Sequence, residues 1–356
     1  MVVVAFVVGV VVVLSVLADM VNTLVTTSTG RSRYWLTVRL YEFSWRFMRA
    51  LGRRLSEVRR EHLFATFAPV SILLLLAAWV AQQIVGFGLI WWAVGGIDGA
   101  ATVFDSIYFS GVVYFTLGFG ELVPVDAVPR VGALIEALFG VLTTALVIGY
   151  LPALYGAYSE RERKLLMLDD GSEDRITPQS LILSRTRGGD VSQMFAFFAG
   201  WEEWIVGVIE THSTFPMLVL FRSKDPGQHW VTALGVVTDA ALLCQMMRGA
   251  EDREPYWMVR RSIRLFEQLT RHADLSAYRA RLDESYQDTE LFRELYDDLA
   301  ARGFEMLPYD EAREVTVELR RKYDAALEHL IDALEAPRGF WGHAIGHRAG
   351  QRESEG

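Results

Sequence analysis

Three apolar stretches decide what this chain can become: Val2 to Ala18, Leu63 to about Ile90, and about Val128 to Tyr155. Each approaches or exceeds the ~20 residues that carry a helix across a bilayer. In lipid every backbone N–H and C=O must be satisfied within the protein. Irregular backbone between spanning helices is therefore tolerated only where protein buries it or it lines a watery cavity. Between the second and third stretches, residues 93–101 form a glycine-rich turn. Thr102 to Phe115 then predicts a helix too short to span. It leads into Thr116-Leu117-Gly118-Phe119-Gly120-Glu121, followed by Leu122-Val123-Pro124. A glycine-bearing loop at membrane depth needs a physical reason.

Ion passage supplies one. A cation inside a membrane must have its hydration shell replaced, and a ring of backbone carbonyls can do this. Consecutive carbonyls face one way only if alternate residues take backbone angles that glycine adopts cheaply, the role open to Gly118 and Gly120. The Thr116 hydroxyl can add an oxygen below them, and Leu117 and Phe119 would point away from the ion and wedge the loop against the short helix. The hexapeptide resembles the potassium-channel filter Thr-Val-Gly-Tyr/Phe-Gly-Asp. Counted without gaps, residues 105–156 resemble the pore module of bacterial two-transmembrane potassium channels, with Gly-Glu-Leu-Val-Pro-Val where that family often has Gly-Asp-Leu-Tyr-Pro-Val.

The resemblance implies an all-α membrane protein built around a tetrameric pore-loop module. Its parts would be an outer helix (63–90), a pore helix (102–115), a filter (Thr116, Leu117, Gly118, Phe119, Gly120), Glu121 at the filter mouth and an inner helix (128–155). Potassium would be the permeant ion, with no cofactor and no metal beyond that ion. Arg130 falls where the family often has an arginine after the filter, and Gly140 at the inner-helix hinge glycine. Gly140 is equally readable as a close helix contact. Helical spacing then puts Val141, Thr144 and Ile148 toward the cavity. Departures are Phe119 for the commoner tyrosine, Glu121 for aspartate, bulky Phe115 before the threonine, and Tyr108-Phe109 where two tryptophans are frequent. These leave a poorly selective monovalent cation channel as an alternative.

Charge sets the expected topology. Residues 1–165 carry 13 Lys and Arg against 11 Asp and Glu, and residues 166–356 carry 22 against 33. Nine of those arginines, with only three glutamates, lie in 31–61. There Leu36, Leu40, Phe43, Phe47, Leu51, Leu55 and Val58 recur by threes and fours, predicting a basic amphipathic helix with Trp35 and Trp45 near its start. A helix packed on the tail is the alternative. Arg161, Arg163 and Lys164 follow the last apolar stretch, whereas 93–129 contain no Lys or Arg. Basic loops stay cytoplasmic, so the N-terminus is expected outside and the tail inside. Val16-Leu17-Ala18 has the look of a signal-peptide cleavage site, but no basic residues precede the run, which favours a retained first helix over 1–20. Trp91-Trp92 fits an interfacial aromatic belt.

The module then covers 62–158, and a helical cytoplasmic domain is predicted over 170–336, with a disordered tail over 337–356. Asp190 can cap a helix through Glu210, a turn at Asp225-Pro226-Gly227 precedes a helix from His229 to Met247, and further helices are expected at about 256–285, 288–302 and 309–335. Asp239 and the short length make the apolar run 230–247 a buried core helix rather than a span. The acidic tail argues against nucleic-acid binding, and a single cysteine, Cys244, excludes an intrachain disulfide. No phosphate loop, metal cluster or nucleophile set nominates an enzyme. Glu202, Glu203, Glu210 and His212 fit a solvated helix face better than a divalent-ion site. A receptor or enzyme with its chemistry in the tail is the alternative from another class. Glu136 is the one acid expected inside a membrane helix. It would contact the pore or pore helix and tune conduction or sense pH, or be a buried carboxyl bonded to a neighbour such as Tyr114.

Overall fold

The computed structural model describes residues 1–24, 36–168, 176–223, 229–250, 253–271, 273–285 and 290–337. Trp35, the Asp225-Pro226-Gly227 turn and the tail from 338 onward lie outside them, as do the first residues of the 31–61 segment and of the 170–336 domain. The described chain is almost wholly helical and divides into two compact units. Among the described residues, three helices are long and apolar enough to cross a membrane.

The first unit comprises Met1–Ala157 and Ser213–Phe221. Its helices are α1 (Val2–Leu24), α2 (Leu36–Gly52), α3 (Glu57–Val94), α4 (Val103–Tyr114) and α5 (Ala127–Leu166), the last running on into the second unit. Small residues let α1 and α3 approach closely: a Cβ on Gly9 would lie 2.6 Å from the Gly86 carbonyl oxygen. Two to three turns further along the same helix pair the Trp79 indole N–H donates to Asp19 Oδ2 at 2.9 Å, with both side chains buried. Helix α1 continues past Ala18, so Glu136 is not alone: Asp19 is a second acid within an apolar helix.

The arginine-rich segment does not form one helix to residue 61. Helix α2 ends at Gly52, a turn intervenes, and Ser56 begins α3. The threes-and-fours pattern carried across that turn by coincidence of spacing. Tyr41, Trp45 and Met48, at i, i+4 and i+7, pack α2 on α1 and α3, with Trp45 tilted against Phe64 and Phe67 at 5.3 and 4.9 Å. Phe43 and Phe47, from the expected stripe, face outward, 75% and 62% exposed. The returning segment Ser213–Phe221 forms a short 3-10 turn, Pro216–Leu220, whose Met217 joins the Tyr41, Phe67 and Trp79 cluster.

A two-residue antiparallel pair, β1 (Ile97–Asp98) with β2 (Val123–Pro124), closes the loop around α4, an element the all-helical expectation did not contain. Arg130 Nε donates to the Pro124 carbonyl at 3.0 Å and ties this return strand to α5.

The second unit comprises Tyr158–His212 and Arg222–Gly356. It holds α6 (Pro178–Arg185), α7 (Phe195–Thr214), α8 (Trp230–Cys244), α9 (Glu254–Thr270), α10 (Ser276–Ser285), α11 (Glu290–Ala301) and α12 (Tyr309–Leu334). Asp190 caps a 3-10 turn, Val191–Met194, that leads into α7. Helix α8 is the core, with Trp230, Leu234, Val237 and Leu242 fully buried among α6, α9 and α12. The single helix expected over 256–285 is two. Helix α9 ends at Thr270, and the Asp274 carboxylate accepts the Ser276 N–H at 3.0 Å where α10 begins. Asp239, in the middle of α8, accepts the Tyr323 hydroxyl of α12 and lies 3.6 Å from Arg320, which in turn pairs with Asp324 at 2.9 Å.

Candidate functional site

The site is assembled from α3, α4, α5 and the loop between α4 and β2. Helix α4 starts with a capping box, in which the Asp105 N–H donates to Thr102 Oγ1 at 3.2 Å and the Thr102 N–H to Asp105 Oδ2 at 2.8 Å. At the other end, Phe115, Thr116 and Leu117 still donate backbone N–H groups to the Gly111, Val113 and Val112 carbonyls at 3.0, 2.9 and 2.8 Å. The chain then leaves helical geometry.

Beyond that point, φ is positive at Thr116 (+55°), Gly118 (+64°) and Gly120 (+88°), but not at Leu117 or Phe119. In an ordinary strand, successive groups alternate between faces. Reversing the backbone hand at every second residue is what allows successive carbonyls to face one side. Two glycines meet this requirement without steric cost. Thr116 meets it as a β-branched residue, in a region where such residues are outliers, so strain is concentrated at the first residue of the alternating run. Sequence reasoning missed that third left-handed residue, since threonine gives no warning of it.

The loop is open on its own chain. Residues 115–121 are all exposed, with Phe115, Leu117 and Phe119 at 56%, 54% and 66%. Leu117 and Phe119 are thus not wedged into an enclosed pocket of their own chain. Glu121 is exposed as well, and sits beside the Tyr108 hydroxyl.

Behind the loop, α4 is braced by polar contacts. Glu136 is fully buried and accepts from the Trp91 indole N–H at 2.6 Å and from the Ser110 hydroxyl. Tyr114 is not its partner: that hydroxyl donates to Thr143 Oγ1 at 3.0 Å. Trp91 is buried rather than part of an interfacial belt, because its indole nitrogen is committed to this carboxylate. A Cβ on Gly140 would collide with the Tyr114 carbonyl, and α5 runs through this position without a break. In this conformation Gly140 is a point of close approach.

Glu136, Gly140 and Thr143 stand at i, i+4 and i+7 on α5, and Ser110 and Tyr114 at i and i+4 on α4, so one face of each helix meets the other. Ser110 and Thr143 were not singled out in the sequence, and Trp91 was read there only as part of an interfacial belt; nothing local in the sequence links them to Glu136 or Tyr114. Val141, Thr144 and Ile148 lie exposed on α5, with Thr144 Oγ1 donating to the Gly140 carbonyl at 3.0 Å. Leu134 and Leu138 are exposed on the same helix.

Glu202 and His212, weighed earlier as metal ligands, have other commitments. Glu202 pairs with Arg261 at 3.0 Å. His212 is buried, with Nδ1 2.9 Å from the Val208 carbonyl and its ring against Trp230.

Residues 70–155 match a family described as "Ion channel". Uncharacterized membrane protein YdjJ of Bacillus subtilis (strain 168) is 26% identical over 140 residues, covering 38% of this chain and 39% of that protein. The chain thus matches well under half of that relative's length. No solved structure is significantly similar to the chain. The described chain is helical, with three helices long and apolar enough to cross a membrane, and its residues 70–155 are similar to an ion-channel domain.

Proposed function

We propose, with that ion-channel domain as the premise, that the protein is a potassium-selective channel. Four copies would bring four Thr116–Gly120 strands around one axis and close a carbonyl ring. The alternating left-handed residues at 116, 118 and 120 carry the proposal, because a turn between two helices has no need of that alternation. The exposed apolar side chains at 115, 117 and 119 support it, since neighbouring subunits would cover them. Glu136 and Tyr114 would hold the pore helix against the inner helix, and Val141, Thr144 and Ile148 would line the cavity. The N-terminus would lie outside and the second unit in the cytoplasm, where it gates or assembles the pore without catalysis and without a cofactor.

Phe119, lacking the hydroxyl common at its position, favours a second outcome, a channel that passes sodium nearly as well as potassium. A reversal-potential measurement in mixed potassium and sodium separates the two. A reversal potential that tracks the potassium gradient is expected, and one insensitive to exchanging the two ions would refute selectivity.

A further inference from the structure

The second unit contains a groove of about 590 Å³ between α9 and α12, within the ~300–1,000 Å³ common for small-molecule sites. Along α9 it is lined by Trp257, Arg260, Arg261 and Arg264, and Lys322 faces it from α12. The four α9 residues stand at i, i+3, i+4 and i+7, so they form one stripe. The buried stripe of the same helix is Met258, Val259, Ser262, Leu265 and Phe266. The basic stripe therefore has no part in the core. Among the described residues Glu267 is the only acid lining the groove, in a half of the chain where acids outnumber bases by 33 to 22.

The cations are held in place with donors to spare. Arg261 Nε donates to Glu202 at 3.0 Å, and Arg260 Nη1 donates to the Tyr256 hydroxyl at 2.8 Å. Lys322 pairs with Glu318 at 2.6 Å. A guanidinium has five N–H donors, so each of these arginines keeps most of its own. Arg264 is exposed and has no hydrogen bond or ion pair among the described residues. In their midst Trp257 is 49% exposed, a large flat surface left uncovered beside planar guanidinium groups.

We infer that this groove binds a phosphorylated small molecule bearing a planar ring, that is, a nucleotide-class ligand. Its phosphates lie against Arg260, Arg264 and the free face of Arg261, which guanidinium forks recognise bidentately. Its ring stacks on Trp257. That the ligand regulates conduction rests on the channel reading; that it binds does not.

The test is calorimetric titration of the full-length protein in detergent at low salt, with ATP, adenosine, inorganic phosphate and phosphatidylglycerol vesicles as separate probes. Saturable ATP binding is expected, weaker by tenfold or more in Arg264→Gln and in Arg260→Gln. Trp257→Leu should weaken ATP tenfold while changing inorganic phosphate less than twofold. Arg293→Gln, on α11, should leave ATP binding unchanged. These exposed substitutions leave the core of α9 intact, and unchanged thermal melting checks the fold. Absence of saturable ATP binding, or indifference to Arg264→Gln, overturns the inference. Vesicles that compete as well as ATP with no effect of Trp257→Leu would make the occupant a lipid headgroup and also overturn it. Potassium flux is measured on the same preparations. Binding without flux would sink the channel reading alone, and flux without binding would sink the groove alone.

Discussion

A methyl group placed on Gly118 would meet nothing within 4 Å in its own chain, yet the residue sits at a φ of +64°. The constraint is torsional rather than steric. Gly118→Ala should cost roughly 1–3 kcal/mol per subunit in this conformation, repeated in every copy around the proposed pore. Potassium efflux from proteoliposomes should fall below detection while the helices still fold. Efflux equal to the parent's would remove the filter assignment. Glu136 differs, because its importance lies in contacts. Glu136→Leu would bury the Trp91 N–H and the Ser110 hydroxyl without an acceptor, at about 1–3 kcal/mol each. Glu136→Gln keeps an oxygen for one of them and should lose less. The order Leu below Gln below parent in thermal stability of the solubilised protein is the expected result, and equal stability would show that the carboxylate is not a brace.

Among elements, legibility followed locality. Helix α4 could be bounded from the sequence because the glycine-rich turn before it and the glycine-bearing loop after it adjoin it in the chain, while its equally local Thr102/Asp105 box was not read there. The break between α9 and α10 had a signal in Asp274 and Ser276, but continuous periodicity overrode it. Glu136's partners were not legible, since Ser110 and Trp91 lie 26 and 45 residues away. In the second unit the elements bury titratable groups, with a consequence for pH. Burial, and then the nearby Arg161 charge, push His212 on α7 down to about 3. A histidine depressed in the folded state contributes stability present above its unfolded value of ~6.5 and lost as pH falls toward 3. By pH 5.5 the loss is about 1.4 kcal/mol. Asp239 opposes it. Burial raises its carboxyl to about 7, despite Arg320 and the Tyr323 hydroxyl and with Asp324 and Glu328 as neighbouring acids, so its contribution declines as pH rises from about 4 to 7. Urea midpoints across pH 5–8 should show a shallower acid-side fall in His212→Gln. Asp239→Asn should steepen that fall, and slopes unchanged in both variants would contradict the assignment.

At the scale of the whole molecule, the exposed apolar residues of the 115–119 loop and of α5 have to be covered by something. In the proposed assembly that is three further copies and lipid. Cross-linking in mild detergent should stop at four subunits, and a purified species that conducts as a dimer would sink the four-fold scheme. The second unit's excess of acids would raise the local cation concentration at an inner mouth, so conductance should fall with rising ionic strength of an inert, impermeant salt. Salt-independent conductance would count against it.

The excursion of Ser213–Phe221 into the first unit has a consequence for anyone who wants to exchange parts. The chain passes between the units at three junctions, after Ala157, after His212 and after Phe221. The C-terminal half is therefore not a cassette that a stop codon can remove. A chain ended after Leu165 also loses Met217, which packs with Tyr41, Phe67 and Trp79. Such a chain should melt earlier than one in which residues 213–221 are grafted back through a flexible linker. In grafting experiments the nine residues would travel with the membrane part, while the sequence on both sides of them travels with the other.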